Sequence, residues 1–486
     1  MTVASAPRTA PGSDPHGLAT LPGVRLWIRR VAKDLAAGHS CLLLVPAAMP
    51  DSAALLPGIL TTQPRWLRVP PPGAPSAPGE PEPDEPEPEP EPLWSAQPPV
   101  LDIDDSFLTG IMASVFGADP VAAPDPAPRL PLPRVAPDRV RDVEARLESL
   151  LPSESTRSVY DRLTSDHADG CVYVLDAADE KDPEALAQLL LRLPASAKAA
   201  GLAPDQRPRL LVIATPDDLP PAYPDRLTGE DVAVHWWWGA TGRLDTASVT
   251  AVNRPLRARA ALTGRHRIEE VLVQATIVEV CGPHLDLAAA LARLWDGRPE
   301  SLPAALNGAY AATRVPVPLP GDSPTPVQHS GGLAQQPPAA LVLRWNAGAV
   351  DSWDGHLRPH PATASGRTLD KLIWLAQNRT LLPLIDDARE ALATRVLPTA
   401  TLPADQMLAV YGTDRATPTD TSTTERLHSL ELGQLATAKS DGRLRFTSAQ
   451  ATTLFTLRNA RNCLSHREHL GGATLHRLFE QLSLDQ

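Results

Sequence analysis

"CVYVLDA", residues 171–177, is an unbroken apolar run closed by an aspartate, and the way it is read decides the fold. A strand with one wet face alternates apolar and polar residues; this run does not, so it reads as a strand covered on both faces. "CLLLVP" at 41–46, "RLLVIAT" at 209–215 and "DVAVHWWWG" at 231–239 have the same character. Helical patterns separate them. "VRLWIRRVAKDLAA", 24–37, places Leu26, Val31 and Leu35 at helical spacing before Gly38. A helix-like piece follows at 51–60. "DRVRDVEARLESLL" at 138–151, "TRSVYDRLTSDHA" at 156–168 and "DPEALAQLLLRLPASAKAAG" at 182–201 complete the set. Buried strands alternating with helices predict an α/β fold with a parallel sheet and right-handed connections.

Beyond Gly239 the apolar strands stop. "RIEEVLVQATIVEVCG", 267–282, and "HLDLAAALARLWDG", 284–297, read as helices. "ALVLRWNAGAV", 340–350, reads as a strand or the end of a linker. From 369 onward about four helices are expected, namely 369–396, 424–438, 448–470 and 472–484. The expected order is a polar tail (1–23), an α/β domain with a helical lid (24–300), a Pro/Gly-rich linker region (301–364) and an all-α bundle (365–486).

The 486 residues suffice for two or three cores, and the 54 prolines point to long spacers. "EPEPDEPEPEPEP", 80–92, carries seven of the acidic residues; without it the net charge of −12 falls to about −5. The run reads as a stiff, self-repelling spacer within an insertion at about 70–99, with a partner-binding segment as the alternative. A short helix is expected at 101–117 and a second proline-rich stretch at 118–137. The acidic balance argues against a general nucleic-acid coat protein, although not against a local arginine-lined site. Cys41, Cys171, Cys281 and Cys463 are far apart and form no ligand motif, which predicts a reducing compartment without disulfides or structural zinc. No signal-like segment and no run of roughly 18–20 apolar residues occurs, so a cytoplasmic protein with no membrane partner is expected.

"CVYVLDAADE" resembles a Walker B strand, and "RLLVIATPDD" resembles the sensor strand of AAA+ and STAND ATPases, with Thr215 at its polar end. "CGPHLDLAAALARLWDG", 281–297, is similar to the helical lid of such proteins. The resemblance spans about residues 24–300 and implies a P-loop-like domain with Asp176 and Thr215 facing a nucleotide. The phosphate loop departs from the family. "VPAAMPDSAA", 45–54, has no glycine and no lysine, and Pro46 and Pro50 each remove a backbone donor. Ala177 stands where a hydrolytic glutamate would follow Asp176; Asp179 or Glu180 could replace it only with a remodelled strand end. The expectation is a pseudo-ATPase with no cofactor, kept as a scaffold or partner platform, or a different α/β fold. "HWWWGATGRLD", 235–245, reads as core and lid packing, or as an exposed aromatic platform beside Arg243. His356 and His360 have the spacing of a metal pair, but Pro361 opposes a helix and no third ligand is apparent, so no metal is expected.

"RNARNCLSHREH", 458–469, puts Arg461 and His466 in the Arg-x4-His pattern of HEPN domains, with Asn462 as the polar residue after the arginine. The resemblance covers about 365–486. It implies a metal-independent ribonuclease or RNA-binding domain of the kind found in bacterial phage defence, usually paired as a dimer. In such chemistry a histidine moves the proton and an arginine fork meets the phosphate charge, so His466, Arg461 and Asn462 are the candidate site. On an ideal helix Arg461 and His466 lie about 140° apart, so a helix end or a kink is needed to bring them together. Asp386, Asp387 and Glu390 could orient the arginine or could be surface acids. Two readings follow: an RNA-directed defence effector or regulator, and a non-enzymatic adaptor that docks a protein partner through the pseudo-NTPase domain and dimerises through its helices.

Overall fold

Helix α1 (Pro22–Ala36) opens on a proline at its first position and leads into β1 (Ser40–Leu44). The computed structural model describes residues 17–49, 52–71, 141–151, 157–165, 170–180, 182–220, 223–227, 231–255, 264–313, 336–363, 366–412 and 422–483. The spacer from residue 72, the helix expected at 101–117 and the proline-rich stretch at 118–137 lie outside them. So do most of the tail and residues 314–335 of the expected linker. The buried face of α1 is Val24, Trp27, Ile28, Val31 and Leu35, an i, i+3, i+4, i+7 stripe. Leu26, expected on that face, is 45% exposed. It lies nearly opposite the true stripe, which runs through Val24 rather than Leu26.

The chain continues through α2 (Leu56–Leu60), β2 (Trp66–Arg68), α3 (Arg141–Glu148), α4 (Val159–Leu163), β3 (Val172–Asp176), α5 (Pro183–Ala199), β4 (Arg209–Ala214), α6 (Tyr223–Leu227), β5 (Val232–Trp236) and α7 (Arg243–Asn253). The five strands form one parallel sheet in the order β2-β3-β4-β1-β5. An α/β fold with a parallel sheet is therefore present. β1 lies between β4 and β5, and Cys41, Leu42, Leu43 and Leu44 are fully buried, which explains the lack of alternation. The β1–β2 connection runs toward one edge and the later connections run back the other way. Right-handed crossovers then put α2 on one face and α3–α6 on the other. The packing agrees: α1 touches α2 and α7, while α3, α4 and α5 touch one another. The direction reverses at the carboxyl ends of β1 and β4, the place where open α/β sheets hold ligands.

Strand β2 had no apolar signature to read, because it is three residues long at the sheet edge with Trp66 and Arg68 exposed. Buried Arg209 closes the opposite end of the sheet, donating to Leu35 O, Gln63 Oε1 and Gly170 O.

Helix α8 (Arg265–Cys281) is followed by α9 (Leu285–Leu294), α10 (Leu302–Thr313), α11 (Val342–Asn346) and an antiparallel hairpin of β6 (Val350–Trp353) and β7 (His356–Pro359). The expected linker is thus largely structured within its described residues. "ALVLRWNAGAV" forms a short helix before its last residue starts a strand. Asp354 and Gly355 turn the hairpin with φ of 50° and 75°, the left-handed pair that a two-residue Asp-Gly loop supplies. The rest of the described chain is helical: α12 (Gly366–Val396), α13 (Ala404–Tyr411), α14 (Thr423–His428), α15 (Leu432–Ser440), α16 (Ser448–Ser465) and α17 (Gly472–Ser483). Where 424–438 was expected to be one helix there are two, since Glu431 and Gln434 cap a new start. Helix α8 divides its contacts. Ile268 and Leu272 join the core of α12–α17, and Ile277, Val280 and Cys281 join that of α9 and α10. Among the described residues no helix is long and apolar enough to cross a membrane.

Candidate functional site

The crevice at the ends of β1 and β4 is closed by the chain itself. Ala47 N donates to Asn346 Oδ1 at 2.8 Å, Ala48 N donates to Asn346 O at 3.2 Å, and Asn346 Nδ2 donates to Asp217 Oδ2 at 2.6 Å. Asn346 is 5% exposed, and its neighbour Trp345 is fully buried against Trp236 with ring centroids 5.5 Å apart. The backbone donors after β1, which in a phosphate loop would turn to a ligand, are turned to Asn346 instead, one to its carboxamide and one to its backbone carbonyl. Gly348 makes this approach possible: its φ is 71°, and a Cβ there would sit 2.8 Å from that of Ala48.

The acids at this edge are committed as well. Asp176 Oδ1 accepts from Ala178 N at 3.1 Å, capping its own turn. Burial raises its carboxyl pKa, the Ala178 N–H lowers it, and Asp179 raises it again. Asp218 Oδ2 holds both the N–H and the hydroxyl of Thr215, at 2.7 and 2.8 Å. Glu180, one of the two possible stand-ins for a hydrolytic glutamate, is ion-paired with Arg146. Phosphates entering here would meet Asp176, Asp217 and Asp218 with no loop lysine to balance them. Among the described residues no three His, Cys, Asp or Glu side chains gather as a metal site.

The tryptophan run is core. Trp236, Trp237 and Trp238 are all buried, Trp27 Nε1 donates to Trp236 O at 2.9 Å, and Trp27 meets Trp237 edge-on at 5.1 Å. The platform reading fails because no ring face is left for a base. His356 and His360 part company: His356 is exposed on β7, and His360 is buried with its ring 4.4 Å from that of His284.

The Arg-x4-His segment lies at the end of α16. His466 is the C-cap residue, and Arg467 takes a left-handed φ of 63°. Glu468 N donates to Cys463 O at 3.0 Å and Arg467 N to Leu464 O at 3.2 Å, the paired bonds of a Schellman stop. Helix α12 fixes this end from behind: Trp374 Nε1 donates to Leu464 O at 2.7 Å, and buried Gln377 exchanges bonds of 2.9 and 2.6 Å with the backbone of Leu470. The helix end that the 140° offset calls for is therefore present. Asn462 and His466 are exposed, and the Arg461 side chain is 41% exposed. No side-chain hydrogen bond or ion pair joins the three to one another.

Arg461 is engaged by Glu431 instead, at 2.5 Å. The acids of α12 do not reach it; Asp386 holds Arg389 at 2.8 Å, and Arg389 in turn donates to His428 O. Glu431 is the site residue that sequence reasoning missed. Its signal was the Glu-x-x-Gln capping pattern of 431–434, which places Glu431 at a helix start.

No protein family, curated protein or solved structure matches this chain.

Proposed function

We propose that the chain is an RNA-directed effector or regulator of the bacterial defence type. Its HEPN-like helical part engages RNA at the end of α16, and its sheet domain is a pseudo-NTPase that hydrolyses nothing. The carrying observation is that Arg461, Asn462 and His466 all reach solvent at one end of a helix held rigidly from behind. Exposed Arg458 and Arg467 add positive charge to the same end, where phosphate contacts supply affinity. In this reading Arg461 takes the phosphate, His466 moves the proton to or from the sugar hydroxyl or leaving oxygen, and Asn462 orients them, with no metal. The Asn346 plug and the acidic strand ends support a silent sheet domain.

A second reading, a non-enzymatic adaptor that dimerises or docks a protein, draws on the pairing of Arg461 with Glu431 rather than with the histidine. Labelled single-stranded RNA in EDTA separates the two, with His466→Ala and Arg461→Ala run beside the parent. Cleavage lost in both variants at unchanged melting temperature supports the nuclease. Intact RNA that is retained by the parent and released by Arg461→Ala supports RNA binding alone. Neither cleavage nor retention leaves the adaptor.

A further inference from the structure

We infer that the junction of α7, α8, α12 and the β6–β7 hairpin is a binding site for a small phosphate-bearing anion. The site is separate from the α16 end and does not depend on the RNA reading. Its centre is Glu279 on α8, whose side chain is 1% exposed. Glu279 Oε1 accepts from Arg243 Nη1 and from Arg379 Nη1, each at 2.5 Å, and Oε2 accepts from Arg358 Nη2 at 3.2 Å. Arg358 also donates to the Glu279 backbone oxygen. Arg243 extends to Asp354, Nε to Oδ2 at 3.0 Å. Three guanidiniums in direct contact thus face two carboxylates. Two further carboxyls are taken by backbone N–H groups: Asp245 by Gly23 and Gly242 at 2.9 and 2.7 Å, and Asp351, across the hairpin from Arg358, by Gly239 and Ser352 at 3.1 and 2.7 Å.

A structural ion-pair network would be expected to balance its charges and satisfy its donors. This one does neither. Arg358 Nε and Trp353 Nε1 are both buried without an acceptor, although Trp353 lies against the Arg243 and Arg358 guanidiniums, 4.5 and 4.9 Å from its ring centre. Burial lowers the Arg358 pKa, Glu279 raises it, and the like charges of Arg243 and Arg379 lower it again. An added anion relieves that repulsion. Solvent reaches the cluster through Arg379, 52% exposed, and Arg243, 36% exposed. Guanidinium forks match phosphate oxygens in pairs, and two part-exposed forks around one largely covered fork suit a single phosphate or diphosphate better than a strand.

Calorimetric titration of the full chain with inorganic pyrophosphate at low ionic strength tests this. Saturable binding at one site per chain is expected. Arg379→Gln should weaken it by about tenfold or more, the cost of one charge-assisted contact, while keeping the parent's melting temperature. Arg458→Gln, on the exposed side of α16, should leave it unchanged. Single-stranded RNA added to saturation should not displace the pyrophosphate. No binding, or binding insensitive to Arg379→Gln, overturns the proposal, as does loss in Arg458→Gln alone. Displacement by RNA overturns it in favour of a backbone-phosphate site.

Discussion

The α7–α8–α12 junction and the end of α16 are built from the same residue types, arginine, glutamate and histidine, and differ in burial. At the junction one carboxylate holds three arginines from distant parts of the chain and is closed to water, with the His284–His360 pair nearby. At the end of α16 one arginine meets one half-exposed glutamate, and His466 stands in solvent. In the first region the Glu279 charge cannot be lost without unbalancing three guanidiniums, which water reaches only in part, through Arg243 and Arg379. In the second, water and salt can replace either partner. The two regions thus differ in dielectric rather than in composition.

The largest expected effect is at the junction. Glu279→Gln keeps the shape but leaves three guanidiniums facing Asp354 alone, and should cost about 3 kcal/mol in urea unfolding. This is the low end for a broken buried pair, because Arg243 and Arg379 reach water. A cost near zero would remove the distinction between the two regions.

A smaller effect follows from the histidines. Burial pushes His360 down to about 4 and holds His284 well below the usual histidine range, with His360 and Arg358 adding to the latter. The folded state thus keeps both neutral while the unfolded chain takes up protons from about pH 6.5 downward. Their contribution is complete above that pH and is lost as pH falls toward 4. For His360 alone the loss should be about 2 kcal/mol by pH 5. Unfolding curves at pH 7.5 and 5 should show it, and His360→Gln should flatten the difference.

Glu431→Gln should have the smallest effect on stability, within about 0.5 kcal/mol, because the pair is part-exposed. If the α16 end takes phosphate, freeing Arg461 should tighten RNA retention in the same variant. A stability loss equal to that of Glu279→Gln would show that the two pairs serve alike.

Much of the sheet was legible because strands covered on both faces leave unbroken apolar runs, as at 41–44, 172–175 and 210–214. Edge strand β2 left none. Helix α1 lies where the sequence places it, but Leu26 does not share its face: Leu26 is five residues before Val31, about 140° round the helix, whereas Val24 at i−7 is in line. The split at Glu431 was hidden by continuous helical propensity through 424–438; only the capping pair marks it. At the candidate site, the segment 461–466 could be picked out by its residue types, but its partners Glu431, Trp374 and Gln377 are 30 or more residues away in the chain, with no local pattern linking them.

Periodicity and residue chemistry, both local, determined the alternation of strands and helices, the lack of glycine and lysine at 45–54 and the presence of an Arg-x4-His segment. Tertiary structure alone decided that Asn346 closes the β1–β4 crevice, that three arginines converge on Glu279 and that Arg461 pairs with Glu431. Each of these is a long-range contact whose worth depends on how much water is excluded around it. Exclusion of water belongs to the packed chain and is carried by no stretch of sequence.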